Sequence, residues 1–266
     1  MINSTASTSL STTLTQAELE AYHRDGFYIA RGVASAERMH ALREHFMALH
    51  HLGAVPGRYD ESEAPISSYP RMMQPHRWDE LARRHLLDPC IFAILRDLLE
   101  DEPLAAQSMF YYKPPGSAGQ GFHQDNFYLK ARPATCMAAW LAVDDADANN
   151  GGLFVVPGSH IGDIVCPESG GVSMWGTIAW VPDEAKQIEV RLRSGDCLFF
   201  NGSLIHGSRR NESTERWRRS FICHFIGRDR CEQVGAYYRP LFAADGSRVD
   251  KRFIEEGISP CGGLPR

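Results

Sequence analysis

The chain lacks a paired-cysteine motif, a long apolar run and an excess of basic residues. Its seven cysteines are an odd number and include no C-x-x-C pair, which favours reduced thiols in a cytoplasm over a disulfide framework or a zinc knuckle. No apolar run reaches the ~18–20 residues needed to span a bilayer. The net charge of −5 gives no support for a surface that binds nucleic acid or an anionic membrane.

The N-terminus also lacks the basic and apolar regions of a signal peptide. Residues 1–14 are instead rich in Ser and Thr, a composition that predicts a disordered tail because it offers little apolar surface to bury. Residues 15–266 are long enough for a single domain with an ample core. We expect this domain to be cytoplasmic, and to be a monomer or a weak homodimer.

Helix signals dominate the first part of the domain. Thr15 and Glu18 form a capping box, which predicts a helix that ends near Gly26. A strand is expected at 27–30. Two further caps, each followed by apolar residues at helical spacing, are Ser35 and Asp88.

From about residue 104 the pattern changes to short strands separated by turn residues. Strands are predicted at 106–112, 135–143, 153–156, 188–192, 197–200 running on into His206, and 218–226. Regular spacing of short strands is typical of two packed antiparallel sheets. The sequence therefore predicts a mainly β protein with flanking helices, built as a double-sheet jelly roll.

One short segment, Phe122-His123-Gln124-Asp125-Asn126, carries the chemistry. On an extended strand, His123 and Asp125 would point to the same face. A third ligand on a strand that returns beside the first would complete a set of two His and one carboxylate, which leaves open positions on a non-haem Fe(II). His206 is the best candidate for that ligand.

Several motifs stand together with this segment, and they have a recognisable order. They are His123-Gln124-Asp125, Asn150-Gly151-Gly152-Leu153, Pro157-Gly158-Ser159-His160, and His206-Gly207-Ser208 with Asn211 and Arg218. This set resembles the phytanoyl-CoA dioxygenase family of Fe(II)/2-oxoglutarate oxygenases over roughly residues 15–230. The resemblance implies a double-stranded β-helix (jelly-roll, cupin-like) fold, Fe(II) held by His123, Asp125 and His206, 2-oxoglutarate as cosubstrate, and O2.

The resemblance also implies a buried arginine for the distal carboxylate of 2-oxoglutarate. Matching the strand after His206 favours Arg218, with one extra residue in the preceding turn, and leaves Arg216 or Arg219 as alternatives. Ser208 should donate a hydrogen bond to the same carboxylate. Three further side chains fall at cosubstrate-pocket positions of the family, although they fit an ordinary jelly-roll core equally well: Met109, Tyr111 and Trp140.

The implied reaction is hydroxylation of an aliphatic carbon with release of succinate and CO2. Asp125 stands where related halogenases have a small residue, which argues against halogenation. We expect a small-molecule substrate, because the loops at 53–75 and 161–187 are long enough to close over one. Candidate substrate-lining residues are Arg71, Gln74, Gln107, Asn126, Phe127 and Trp175.

Two other functions remain open at this point. One is a non-catalytic jelly-roll binding module, although no residue of the implied site is missing. The other is a cupin-type metalloenzyme that does not use 2-oxoglutarate, in which the arginine after His206 would have no function. His160 and His224 are weaker candidates for metal ligands than the three residues named above.

Overall fold

Side-chain caps begin the N-terminal helices at the predicted residues. A computed structural model describes residues 14–52, 69, 71–165, 172–173, 176–177 and 186–255. The predicted tail, except for Leu14, and Trp175 lie outside this part of the chain. The helices are α1 Gln16–Asp25, α2 Ala36–His51, α3 Glu80–Leu86, α4 Pro89–Leu99 and α5 Asn126–Leu129.

The caps have the geometry that the sequence predicts. The Thr15 hydroxyl accepts from the Glu18 N–H, and the Glu18 carboxylate accepts from the Thr15 N–H at 2.8 Å. Helix α1 ends at Gly26, whose φ of +84° lies in the left-handed region that glycine adopts without strain. Ser35 and Asp88 cap α2 and α4.

Short strands make up most of the remaining chain. They are β1 Phe27–Ala30, β2 Met72–Met73, β3 Pro103–Tyr111, β4 Gln120–His123, β5 Arg132–Pro133, β6 Met137–Ala142, β7 Leu153–Val155, β8 Val172–Ser173, β9 Gly176–Thr177, β10 Ile188–Glu189, β11 Cys197–Asn201, β12 His206–Ser208, β13 Ser220–Gly227, β14 Cys231–Gly235, β15 Leu241–Phe242, β16 Arg248–Val249 and β17 Arg252–Ile254.

Two antiparallel sheets form the body of the fold. The larger sheet has the order β1-β11-β6-β13-β3-β15-β16, with β2 also paired to β3, and the smaller has the order β10-β7-β12-β4. Small sheets of β17-β14-β5 and β8-β9 complete the described strands. This is the mainly β jelly roll that the sequence predicts. None of the described helices is long and apolar enough to cross a membrane.

The larger sheet separates two apolar layers. Along β13, Phe221 and Phe225 pack against the helices, whereas Ile222 packs with the smaller sheet, because successive strand residues face opposite sides. On the helical side, Phe46 of α2 stacks on Phe110 of β3 with ring centroids 4.2 Å apart. The opposite face of the larger sheet lines a pocket between the two sheets.

The structure corrects two predictions about the strands near the site. Strand β4 ends at His123, and Asp125 has helical backbone angles (φ −61°, ψ −33°) at the start of α5, so the two residues do not share one extended strand. The predicted strand from 197 into His206 is interrupted after Asn201. The Asn201 carbonyl accepts from the Leu204 N–H at 2.8 Å, and this turn carries the chain from the larger sheet into the smaller one.

Removal of the Phe46 side chain should destabilise the domain strongly. Phe46 is fully buried, and Phe→Ala at such sites costs about 3–5 kcal/mol through lost burial and the cavity left behind. We expect this loss for Phe46→Ala in urea unfolding. Leu52 ends the same helix but is 76% exposed, so Leu52→Ala should change stability by less than about 0.5 kcal/mol. Similar losses in both variants would contradict this assignment of the core.

Candidate active site

Three buried side chains from three elements converge between the sheets. His206 of β12 lies directly opposite His123 at the end of β4, and Asp125 reaches the same point from the start of α5. One ligand atom from each of the three lies within 4.8 Å of the others. Within the described residues this is the one group of three or more His, Cys, Asp or Glu that is arranged to hold a metal ion.

Hydrogen bonds to backbone carbonyls fix both imidazole rings in one tautomer. The Nδ1–H of His123 donates to the Gly121 carbonyl at 2.9 Å, and the Nδ1–H of His206 donates to the Leu204 carbonyl at 3.0 Å. Each ring therefore presents the lone pair of Nε2 to the cluster. The two Nε2 atoms lie 3.4 Å and 3.7 Å from Oδ1 of Asp125.

Burial and neighbouring groups favour a neutral His206 beside an ionised Asp125. Burial, together with the neighbouring His123, lowers the pKa of His206 to about 4. Burial alone would raise the pKa of Asp125, but interactions with His206 and His224, including the hydrogen bond from His224, hold it well below its usual value. Two neutral His and one carboxylate are the donor set of a non-haem Fe(II) site.

A fourth residue, His224, supports the carboxylate from the larger sheet. Its Nε2–H donates to Oδ2 of Asp125 at 2.9 Å, which leaves Oδ1 directed at the two imidazoles. His224 is buried on β13, two residues after the pocket-lining Ile222 and hence on the same face. The alternation of side chains along this predicted strand could have placed His224 on the pocket face from the sequence alone.

The floor of the pocket consists of side chains from neighbouring strands in register. Met109, Trp140 and Ile222 are aligned on β3, β6 and β13, and His224 is aligned with Gln107. All five line the pocket. Gln107, Met109 and Tyr111 share one face of β3, and all three line this pocket.

A buried guanidinium lies at the end of the pocket away from His224. Arg218 is 4% exposed, lines the pocket and lies over Trp140, 5.4 Å from the ring centroid. It donates to the Gly151 carbonyl and to Ser220 Oγ, each at 3.0 Å. Burial lowers the pKa of Arg218 to about 10, and within the described ranges no carboxylate pairs with it.

The two alternative arginines already have carboxylate partners. Arg219 is bound to Asp144 with a shortest distance of 2.6 Å, and Arg216 to Asp147 at 2.8 Å. Neither of these arginines lines the pocket. Of the three, Arg218 alone combines a position at the pocket with an unbalanced charge.

The other predicted residues fall in different places. Arg71 lines the pocket and donates to the Tyr111 hydroxyl at 3.3 Å. Asn126 instead binds the backbone of residue 131 through both atoms of its amide. Gln74 and Phe127 do not line the pocket either, although Gln74 is buried.

Lys113 is a buried side chain that the sequence argument did not consider. Its Nζ–H donates to Ser208 Oγ at 2.9 Å and to the Arg209 carbonyl at 2.7 Å. Lys113 lies two residues after the end of β3, and the surrounding sequence, Tyr-Tyr-Lys-Pro-Pro, gives no sign of burial. Ser208 therefore contacts a second basic side chain; its neighbour Gly207 lines the pocket, although Ser208 itself does not.

Three further aromatic residues line the pocket and were not predicted. They are Tyr128, Tyr237 and Tyr238. Two of them come from a 3-10 helix at Ala236–Tyr238, far along the chain from the motifs. Their presence gives the pocket an aromatic, hydroxyl-bearing side suited to a small organic molecule.

Solved structures with a similar fold include two complexes with a 2-oxo acid, one of which also contains Fe3+. The epimerase SnoN, in complex with Fe3+, alpha ketoglutarate and nogalamycin RO, matches with a TM-score of 0.66 and 23% identity over 80% of this chain and 83% of its own. EctD from S. alaskensis, with 2-oxoglutarate and 5-hydroxyectoine, matches with a TM-score of 0.66 and 20% identity over 82% and 77%. The carbocyclase SnoK matches with a TM-score of 0.68 and 19% identity over 98% and 97%.

Sequence comparison gives the family. The peroxisomal phytanoyl-CoA dioxygenase of Mus musculus is 26% identical over 92% of this chain and 78% of its own length. A probable phytanoyl-CoA dioxygenase of Caenorhabditis elegans is 25% identical over 90% and 85%. The family model for phytanoyl-CoA dioxygenase (PhyH) matches residues 22–220, which include the three converging side chains and Arg218. The chain belongs to the phytanoyl-CoA dioxygenase family.

Proposed function

We propose that the protein is an Fe(II)- and 2-oxoglutarate-dependent dioxygenase that hydroxylates an aliphatic carbon of a small molecule. The overall reaction is RH + 2-oxoglutarate + O2 → ROH + succinate + CO2. The observation that carries the proposal is the pairing, within one buried pocket, of a His-His-Asp cluster with an unpaired guanidinium. A metal site alone would not need the guanidinium.

His123, Asp125 and His206 are the iron ligands in this proposal. The fit rests on donor chemistry, because the set offers two lone-pair nitrogens and one carboxylate oxygen and leaves further positions for other ligands. Bound Fe(II) supplies the activation of O2 that is coupled to decarboxylation of the cosubstrate. The protein's own part is to keep His206 neutral, to hold Asp125 ionised and to shield the cluster from water.

Arg218 binds the distal carboxylate of 2-oxoglutarate. A buried guanidinium without a carboxylate partner is costly, and a dicarboxylate that enters the pocket would supply the missing charge. The apolar side chains of Met109, Trp140 and Ile222 lie between the Arg218 end and the His224 end. These residues suit the methylene carbons of the cosubstrate.

The substrate occupies the part of the pocket lined by Gln107 and the tyrosines at 128 and 237, next to the cluster. The negative net charge supports a small metabolite over a nucleic acid. The carboxylate of Asp125 fills the ligand position that chloride would need, which supports hydroxylation over halogenation. A cytoplasmic location is supported by the five described cysteines, all of which are free thiols.

Anaerobic titration with Fe(II), with and without 2-oxoglutarate, tests the proposal. A metal-to-ligand charge-transfer band should appear when both are present and should be absent from His123→Ala and His206→Ala. Aerobic incubation with a metabolite extract should then yield succinate and a product heavier by one oxygen, labelled from 18O2. No band with the wild-type protein would refute 2-oxoglutarate dependence, and a product that only lost two hydrogens would refute hydroxylation.

The placement of the arginines gives a prediction about cosubstrate affinity. Loss of one partner of a buried, hydrogen-bonded charge pair costs ~2–5 kcal/mol, or roughly 30-fold to several-thousand-fold in affinity. We expect Arg218→Ala to raise the 2-oxoglutarate KM by a factor in this range. Arg216→Ala should leave the KM unchanged, because Arg216 is exposed and bound to Asp147. A large effect of Arg219→Ala and none of Arg218→Ala would overturn the assignment.

The hydrogen bond from His224 to Asp125 should strengthen metal binding. Groups that orient a metal ligand typically contribute about 10- to 100-fold in metal affinity, and we expect His224→Ala to weaken Fe(II) binding by this factor in competition with a chromogenic chelator. His85→Ala is the matched control, because His85 is also buried but lies on the helical side of the larger sheet, near Phe221. Equal affinities in the two variants would remove His224 from the site.

A further inference from the structure

Lys113 is a buried lysine with an unusual set of neighbours. It is 8% exposed, and its backbone φ of +33° is positive. Its side chain lies over Gly151, where an added Cβ would come within 2.9 Å of Nζ. The carbonyl of the same glycine accepts from Nε of Arg218, and the backbone N–H of Arg218 donates to the Lys113 carbonyl at 3.1 Å. The two cationic residues are therefore tied together through short local contacts.

The hydrogen bonds of Ser208 determine where its hydroxyl proton points. Ser208 Oγ accepts from Lys113 Nζ at 2.9 Å and from the Gln120 backbone N–H at 3.2 Å. A hydroxyl oxygen has two lone pairs and one O–H, so both lone pairs are used. The hydroxyl can then only donate, and the acceptor that it needs is an oxygen outside this group.

Lys113 and Arg218 together place two buried basic side chains beside one end of the pocket. In the described part of the chain neither forms an ion pair with a carboxylate, whereas Arg216 and Arg219 both do. Burial and the positive charge of Arg218 lower the pKa of Lys113 to about 6. An anion beside both groups would offset their repulsion and favour the charged lysine.

We propose that Lys113 is a positioning residue for the distal carboxylate of 2-oxoglutarate, acting by fixing the Ser208 hydroxyl as a hydrogen-bond donor and by adding a second positive charge beside Arg218. The inference rests on the proposed function, since it assigns a role to a residue behind the cosubstrate site. It predicts that the contribution of Lys113 depends on the presence of that one carboxylate.

Two cosubstrate probes test this dependence. 2-Oxoglutarate and 2-oxovalerate share the same 2-oxo acid group, but 2-oxovalerate has a methyl in place of the distal carboxylate. Their dissociation constants can be measured on the anaerobic, Fe(II)-loaded protein by calorimetry, without turnover. We expect Lys113→Met to weaken 2-oxoglutarate binding by about 10- to 100-fold, as for loss of a charge-assisted hydrogen bond, and to leave 2-oxovalerate binding unchanged.

Lys130→Met is the matched control, because Lys130 also has a positive φ, of +57°, and is not a pocket-lining residue. It should leave both affinities unchanged. Lys113→Gln provides a second variant if Lys113→Met folds poorly, since glutamine retains a donor but carries no charge, and it should also weaken 2-oxoglutarate selectively.

The outcomes separate this inference from the proposed function. Failure of the wild-type protein to bind 2-oxoglutarate would refute the proposed function itself. Wild-type binding of 2-oxoglutarate, with an unchanged affinity in the folded Lys113 variant, would overturn the role of Lys113 alone. Equal weakening of both 2-oxo acids would also overturn it, because a general structural defect does not distinguish the distal carboxylate.

Discussion

The antiparallel pairing of β12 with β4 is the constraint on which the site depends. It aligns His206 with His123, and a shift of one residue would turn one imidazole to the other face of the sheet. The same strand then carries Ser208 two residues further on, toward the end of the pocket where Arg218 lies. One register therefore sets both the converging histidines and the side chain that Lys113 contacts.

The larger sheet supplies the matching half of this arrangement. His224 supports Asp125 from the middle of β13, and Arg218 lies two residues before the strand begins. The four residue-to-residue steps from 220 to 224 span about 13 Å at the usual rise of a strand. Between them the floor of the pocket is apolar. Its side chains neither ligate a metal nor bind an anion, and they keep the His-His-Asp cluster apart from the positively charged end of the pocket.

Burial gives both ends of the pocket their chemical character. At one end it keeps His206 neutral, so that a lone pair is available as a ligand. At the other end it disfavours the positive charges of Arg218 and Lys113, which no described carboxylate balances. Uncompensated buried charge opposes folding, and such groups are retained where a ligand supplies the counter-charge.

The sequence alone determined the features that depend on local spacing. Neighbours along the chain predict the caps at Thr15, Ser35 and Asp88 and the change to short alternating strands. The local motifs also identify the two histidines and the aspartate that converge. The sequence predicted the ends of the strands less well. The turns after His123 and Asn201 depend on which sheet the next segment joins. The strands from Cys231 to Ile254 lacked a pattern strong enough to predict.

Only the tertiary structure decided which charged residues lie together. Three arginines within four residues are equivalent by composition, and they differ because Asp144 and Asp147 pair with two of them and leave Arg218 at the pocket. Lys113 and His224 acquire their contacts with Ser208 and Asp125 across 95 and 99 residues. Contacts over such separations depend on strand register and sheet packing, which local periodicity does not encode.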